Sequence, residues 1–127
     1  MNLNQITGAI VESAVDMHRQ LGPGLLESVY QAILAHELSN RGLCVETEVP
    51  IPVTWNDLKL DLGFRADLIV ERDVIVELKS VEMTMPVHRK QVLTYLKVSG
   101  RPVGLLLNFG EALMKDGIFR LVNNFPE

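Results

Sequence analysis

The chain has 127 residues, 47% of them hydrophobic and 22% charged, which is the balance of one ordinary globular domain with enough apolar surface to offset chain entropy. Its net charge of −4 excludes the overall basic surplus of a stand-alone nucleic-acid binder, so any contact with nucleic acid must come from a local patch or a partner. A single cysteine, Cys44, excludes an internal disulfide and a cysteine-built zinc cage, and it fits a reducing compartment.

The first twenty residues carry no basic segment ahead of an apolar run, and Glu12 and Asp16 interrupt them, so a signal peptide is not expected. No stretch approaches the ~20 apolar residues of a membrane span, and the expected location is cytoplasmic. Ile6, Ile10, Ala14, Met17 and Leu21 are spaced by three and four, the pattern of an amphipathic helix. Gly22-Pro23-Gly24 stops it. A second helix pattern follows with Leu26, Val29, Tyr30, Ile33, Leu34 and Leu38, stopped at Asn40-Arg41-Gly42.

The period then changes. Cys44 to Trp55 is rich in β-branched residues, with Cys44 expected as a small buried hydrophobe. Pro50 and Pro52 remove ladder donors, which makes this an edge or bulged strand. Asn56-Asp57 reads as a turn, Leu58 to Leu62 as a return strand, and Gly63 as a bend. Ala66 to Val70 and Val74 to Lys79 are two further strands joined by Glu71-Arg72-Asp73. Pro86 opens a third helix, where proline suits the first helical position; it ends at Gly100. Val103 to Phe109 is a nearly continuous apolar strand, as for one buried on both faces, and Ile118 to Val122 is a last short strand. The expected fold class is α/β, a central mixed sheet with helices packed on it, in the order α-α-β-β-β-β-α-β-β.

The chemistry concentrates around the Glu71-Arg72-Asp73 turn. If Val70 pairs with Val74, then Ile69 faces Ile75, Asp67 faces Glu77 and Arg65 faces Lys79. A two-residue loop would shift this register by one. Opposed carboxylates have Cβ atoms about 5 Å apart and repel each other. A divalent cation relieves that cost, since Mg²⁺ is held by one or two carboxylates plus waters and phosphate. Glu77 and Lys79 fall on one strand face while Val76 and Leu78 take the other, so an ammonium stands ready to orient a water or neutralise phosphate charge. The plainer alternative is an ion pair between Lys79 and Asp67 or Glu77 on a wet face. Glu27 adds a third acid in the first turn of the second helix, where the dipole alone also favours one.

On the third helix His88, Gln91 and Tyr95 share one polar face. His88, Arg89 and Lys90, with Lys97 and Arg101, make its basic stretch, suited either to phosphates or to water. His18 and His36 have no ligand spacing for zinc, no nucleophile elbow surrounds Ser28, and the glycines fit no phosphate-binding fingerprint.

Leu21 to Tyr30 (LGPGLLESVY), Arg65 to Glu71 (RADLIVE), Val74 to Glu82 (VIVELKSVE), Pro86 to Leu96 (PVHRKQVLTYL) and Gly104 to Gly110 (GLLLNFG) together resemble the bacterial GxxExxY proteins, a branch of the PD-(D/E)XK nuclease superfamily. The resemblance covers nearly the whole chain. It implies a restriction-endonuclease-like fold. Glu27 then corresponds to the acid of the leading core helix, Asp67 to the motif aspartate, Glu77-Leu78-Lys79 to the E-x-K motif, and Gln91 with Tyr95 to the Q-x-x-x-Y feature. Only ten residues separate Asp67 from Glu77, short spacing that suits a tight hairpin.

The expectation is a Mg²⁺- or Mn²⁺-dependent, endonuclease-like phosphodiesterase acting on nucleic acid, DNA rather than RNA. Asp67, Glu77 and the backbone carbonyl of Leu78 would hold the metal, with Glu27 ligating directly or through water. Lys79 would position the attacking water, Gln91 and Tyr95 would hold the site or a phosphate, and Arg65, His88, Arg89 and Lys90 would meet the backbone. The competing expectation is a module that keeps the fold, cleaves nothing, and binds nucleic acid or a protein partner. A small apolar chain with an exposed edge strand is also suited to form a homodimer.

Overall fold

A computed structural model describes residues 1–124. Helix α1 spans Leu3–Leu21 and α2 spans Glu27–Asn40; then come β1 (Val45–Trp55), β2 (Leu58–Val70) and β3 (Val74–Lys79). Helix α3 (Pro86–Ser99) leads to β4 (Val103–Asn108), and a 3₁₀ turn, Met114–Gly117, precedes β5 (Ile118–Val122). Asn2 caps α1 through a reciprocal pair of bonds with Gln5. Gly22 and Gly100, at φ 68° each, close α1 and α3, a region of backbone space that glycine enters without a Cβ clash.

The five strands form one sheet in the order β1-β2-β3-β4-β5. Every neighbouring pair is antiparallel except β3 and β4, which run parallel across the α3 crossover. Strands β3 and β4 are mostly apolar, apart from Glu77, Lys79 and Asn108 toward their C-terminal ends, because both faces are covered. Ile6, Ile10 and Ala14 of α1 and Tyr30, Leu34 and Leu38 of α2 pack on Leu68, Val70, Val74, Val76 and Leu78. On the opposite face Leu96 and Tyr95 of α3 pack with Ile69 and Ile75. Glu77 and Lys79 have the parity of Ile75, so they emerge on the α3 face.

Three expectations are corrected. Gly63 does not divide two strands: β2 runs unbroken from Leu58 to Val70, so three strands rather than four precede α3. The irregularity is a bulge, with the β1–β2 register jumping from Ile51–Phe64 to Val53–Leu60. Val53 lies where a Cβ on Gly63 would stand, 2.1 Å from its Cγ2, so the glycine serves close approach, not a bend. Cys44 is exposed, not buried, because it precedes β1 at the sheet edge, with its backbone held by Glu71 (2.8 and 2.9 Å). Arg65 does not oppose Lys79. The β2–β3 ladder ends at Leu68–Val76, Arg65 pairs across with Pro50, and Lys79 pairs with Asn108.

Candidate active site

The Val70–Val74 register of the three-residue turn is present, and it brings the two carboxylates together. Beyond Leu68–Val76 the side chains take over from the ladder. The Asp67 N–H donates to Glu77 Oε2 at 2.8 Å, and the Leu78 N–H donates to Asp67 Oδ2 at 2.9 Å. Each acid thus satisfies a backbone donor of the other's strand.

Strict alternation fails at the same point. Leu68 and Val70 belong to the α1/α2 cluster, yet Ala66, two residues on, belongs to the α3 cluster. The partner strand does likewise: Val45 packs with the first cluster, Val49 and Ile51 with the second. Glu48 between them has φ +50°, the left-handed region that reorients a strand. Both strands change face at the level of Asp67, which leaves its carboxylate directed at β3.

Glu77 is 7% exposed. Burial, and then the charge of Asp67, push its pKa from 4.5 to about 8, while the Lys79 ammonium works in the opposite direction. Lys79 is half-buried and near enough to act on Glu77, but it is not closed into a bridge. Among the described residues the ion pairs within 4.0 Å are those of Arg19 and Arg41 with Glu12 and Asp16. Tyr95 joins the group from α3: burial, then Glu77, then Asp67 hold its phenol above the ordinary range, so it remains a hydrogen-bond donor. Its ring stacks on Phe64 at 3.8 Å and 6°. Gln91, one turn earlier, is exposed.

Glu27 stands apart from this pair. It is exposed at the start of α2 and lines an open cleft of about 730 Å³ with Glu82, Ser28, Ser80 and the 22–26 loop's Gly24 and Leu25. That cleft opens beyond the C-terminal ends of β3 and β4, where open α/β sheets place their sites. Among the described residues no three His, Cys, Asp or Glu side chains converge on one point. The carboxylates in contact are Asp67 and Glu77, and Glu27 faces the neighbouring space.

The other expected contacts are partly engaged. His88 Nδ1 accepts the Met85 N–H at 3.0 Å and so caps α3. The Arg89 guanidinium lies 5.1 Å from the Phe119 ring centroid. Lys90 and Arg65 are exposed.

Three residues that hold the cleft's loops have roles the sequence does not show. Tyr30 is fully buried, stacks on Phe109 at 4.5 Å, and its hydroxyl donates to Gly22 O at 2.6 Å while accepting from Leu25 N at 3.2 Å. It pins the 22–26 loop that leads into Glu27 at the start of α2. Ser80 Oγ donates to Leu25 O at 2.7 Å and ties that loop to the end of β3. Asn108 is fully buried; its Oδ1 accepts from Val81 N and Gly110 N, and its Nδ2 donates to Thr84 Oγ1 at 2.8 Å. A lone amide ending the apolar run VGLLL was the available signal, because a buried polar group must find partners.

A family model described as the PD-(D/E)XK nuclease superfamily matches residues 4–121. No curated protein and no solved structure matches.

Proposed function

Because the chain belongs to the PD-(D/E)XK nuclease superfamily, we propose that it is a divalent-metal-dependent nuclease whose reacting groups gather on Asp67, Glu77 and Lys79, with the GxxExxY branch as its place within the superfamily. The observation that carries this reading is the contact of half-buried Asp67 with buried Glu77, where burial first and the charge of Asp67 second raise Glu77 to a pKa of about 8. The two backbone N–H groups that these acids receive need only neutral acceptors, so two neighbouring carboxyls, one of them buried, are a costly way to supply them without a cation.

The donor set fits a hard cation. Two carboxylates of this kind suit Mg²⁺ or Mn²⁺, which complete their coordination with water and phosphate oxygens. The set lacks the nitrogen and sulfur donors typical of zinc. When bound, such a cation supplies Lewis-acid activation of water and phosphate. Asp67 and Glu77 would hold it together with the Leu78 carbonyl, and Glu27 would reach it through water from the cleft. The Lys79 ammonium, on the same strand face as Glu77, orients the attacking water and offsets charge growing on the phosphate. Tyr95 remains protonated and donates a hydrogen bond toward the substrate, with Gln91 one turn away.

The test is cleavage of labelled single- and double-stranded DNA and RNA with Mg²⁺, Mn²⁺ or EDTA, wild type beside Lys79→Ala. We expect cleavage of DNA that requires the cation and falls at least about a hundredfold in the variant. Equal cleavage by both proteins, or cleavage in EDTA, overturns the assignment. The acids Glu27 and Glu82 at the cleft favour a second reading, a fold that binds a partner without cutting. Metal binding without cleavage of any substrate supports that reading.

A further inference from the structure

The far half of the β1–β2 hairpin extends past the bulge as an arm. Val53 pairs with Leu60, Thr54 with Lys59, and Trp55 with Leu58. Directly opposed residues share a face and neighbours alternate. One face of the arm therefore carries Val53, Trp55, Leu58 and Leu60, and the other Thr54 and Lys59. The apolar face is open to solvent: Trp55 is 72% exposed, Leu58 57% and Leu60 49%, with Leu62 at the base 53% exposed. A two-stranded hairpin has little stability of its own in water, and an uncovered apolar face adds cost.

We infer that this arm is a self-association surface, packing face to face against the same arm of a second copy of the chain. Three observations select that occupant. The face bears no charge, so it suits an apolar partner and not a phosphate backbone. The patch leaves on the order of 500 Å² open, at the upper end for a monomer. Two copies burying it together remove about 1,000 Å², the lower bound for a specific association. Pro50 and Pro52 take donors from the edge of β1 nearer the body, so the arm's face rather than the strand edge is the surface left to cover. A two-fold contact is self-complementary by construction. The inference does not depend on whether the carboxylate site cleaves anything.

Trp55 is the only tryptophan in the chain, so its emission reads the arm directly. The experiment is sedimentation equilibrium and Trp55 fluorescence across protein concentration. Wild type is compared with Leu60→Lys on the apolar face and Lys59→Glu on the polar face. We expect the wild type and Lys59→Glu to dimerise, with emission moving to the blue as concentration rises. Leu60→Lys places two like charges in the interface, which weakens association at least about a hundredfold and leaves Trp55 emission at its solvent-exposed position. Circular dichroism of the variant at monomeric concentration confirms that it folds. A wild type that stays monomeric with exposed emission overturns the inference. So does a Leu60→Lys dimer as tight as wild type, or an emission shift that appears only when an oligonucleotide is added.

Discussion

Glu77 holds a proton in the folded chain that an unfolded carboxyl has already released at neutral pH, since its pKa rises from 4.5 to about 8. The sign of its effect on stability follows from linkage. Below about pH 4.5 both states are protonated and nothing is lost. Between there and about pH 8 the folded state binds more protons than the unfolded, so stability falls as pH rises. The loss is on the order of a few kcal/mol. Urea denaturation in EDTA at a series of pH values should show that decline. In Glu77→Gln the curve should lie flat over the same window, because the amide oxygen can still accept the Asp67 N–H. Mg²⁺ should restore stability most at the alkaline end. A wild-type curve without slope between pH 5 and 8 would contradict the burial of Glu77 beside Asp67. Asp67 has a different function in the fold: its Oδ2 receives the Leu78 N–H, so Asp67→Ala strands a donor and should cost about 1–3 kcal/mol.

At the scale of elements, the cleft is assembled by hydrogen bonds between loops and not by packing alone. Tyr30→Phe keeps the stack on Phe109 but removes both bonds to the 22–26 loop. We expect a loss of about 1–3 kcal/mol and faster amide exchange at Leu25. Unchanged exchange there would show that the loop is held otherwise. Gly110 makes a sharper case: a Cβ there would stand 2.2 Å from Val81 O, so Gly110→Ala must push the β3 and β4 exits apart. The helices, the 70–74 turn, and β3 to β5 were legible because period, caps and prolines agree there. The Asp67–Glu77 contact was legible because the turn length sets the register. The continuity of β2 was not, since Gly63 reads equally as a bend or as a site of close approach. Nor was the change of face at Glu48 and Asp67, because alternation carries no mark of a left-handed φ at a glutamate. Asn108 acts through Val81 and Thr84, distant in sequence, and Tyr30 reads in the sequence as one more residue of the second helix's apolar pattern, which carries no mark of its bonds back to Gly22 and Leu25.

For the whole molecule, a net charge of −4 sets the field that any nucleic acid meets. General attraction is absent, so binding must rest on a few local cations and fall with salt. The first turns of α3 hold the candidates, and the structure ranks them. His88 is occupied as a cap and Arg89 lies over Phe119, whereas Lys90 is exposed. If Lys90 meets a phosphate, Lys90→Ala weakens binding to any sequence and reduces the log–log salt slope by about 0.9. Arg89→Ala should act mainly on the fold, lowering stability by about 0.5–1 kcal/mol through the lost ring contact, with the salt slope nearly unchanged. Fluorescence titrations of a labelled duplex at several salt concentrations, with urea denaturation of each variant, separate the two effects. Equal slopes for wild type and Lys90→Ala would move the phosphate contacts off α3 and toward the exposed Arg65 on β2. In that case the strand carrying Asp67, and not the crossover helix, would set how the substrate backbone crosses the carboxylate pair.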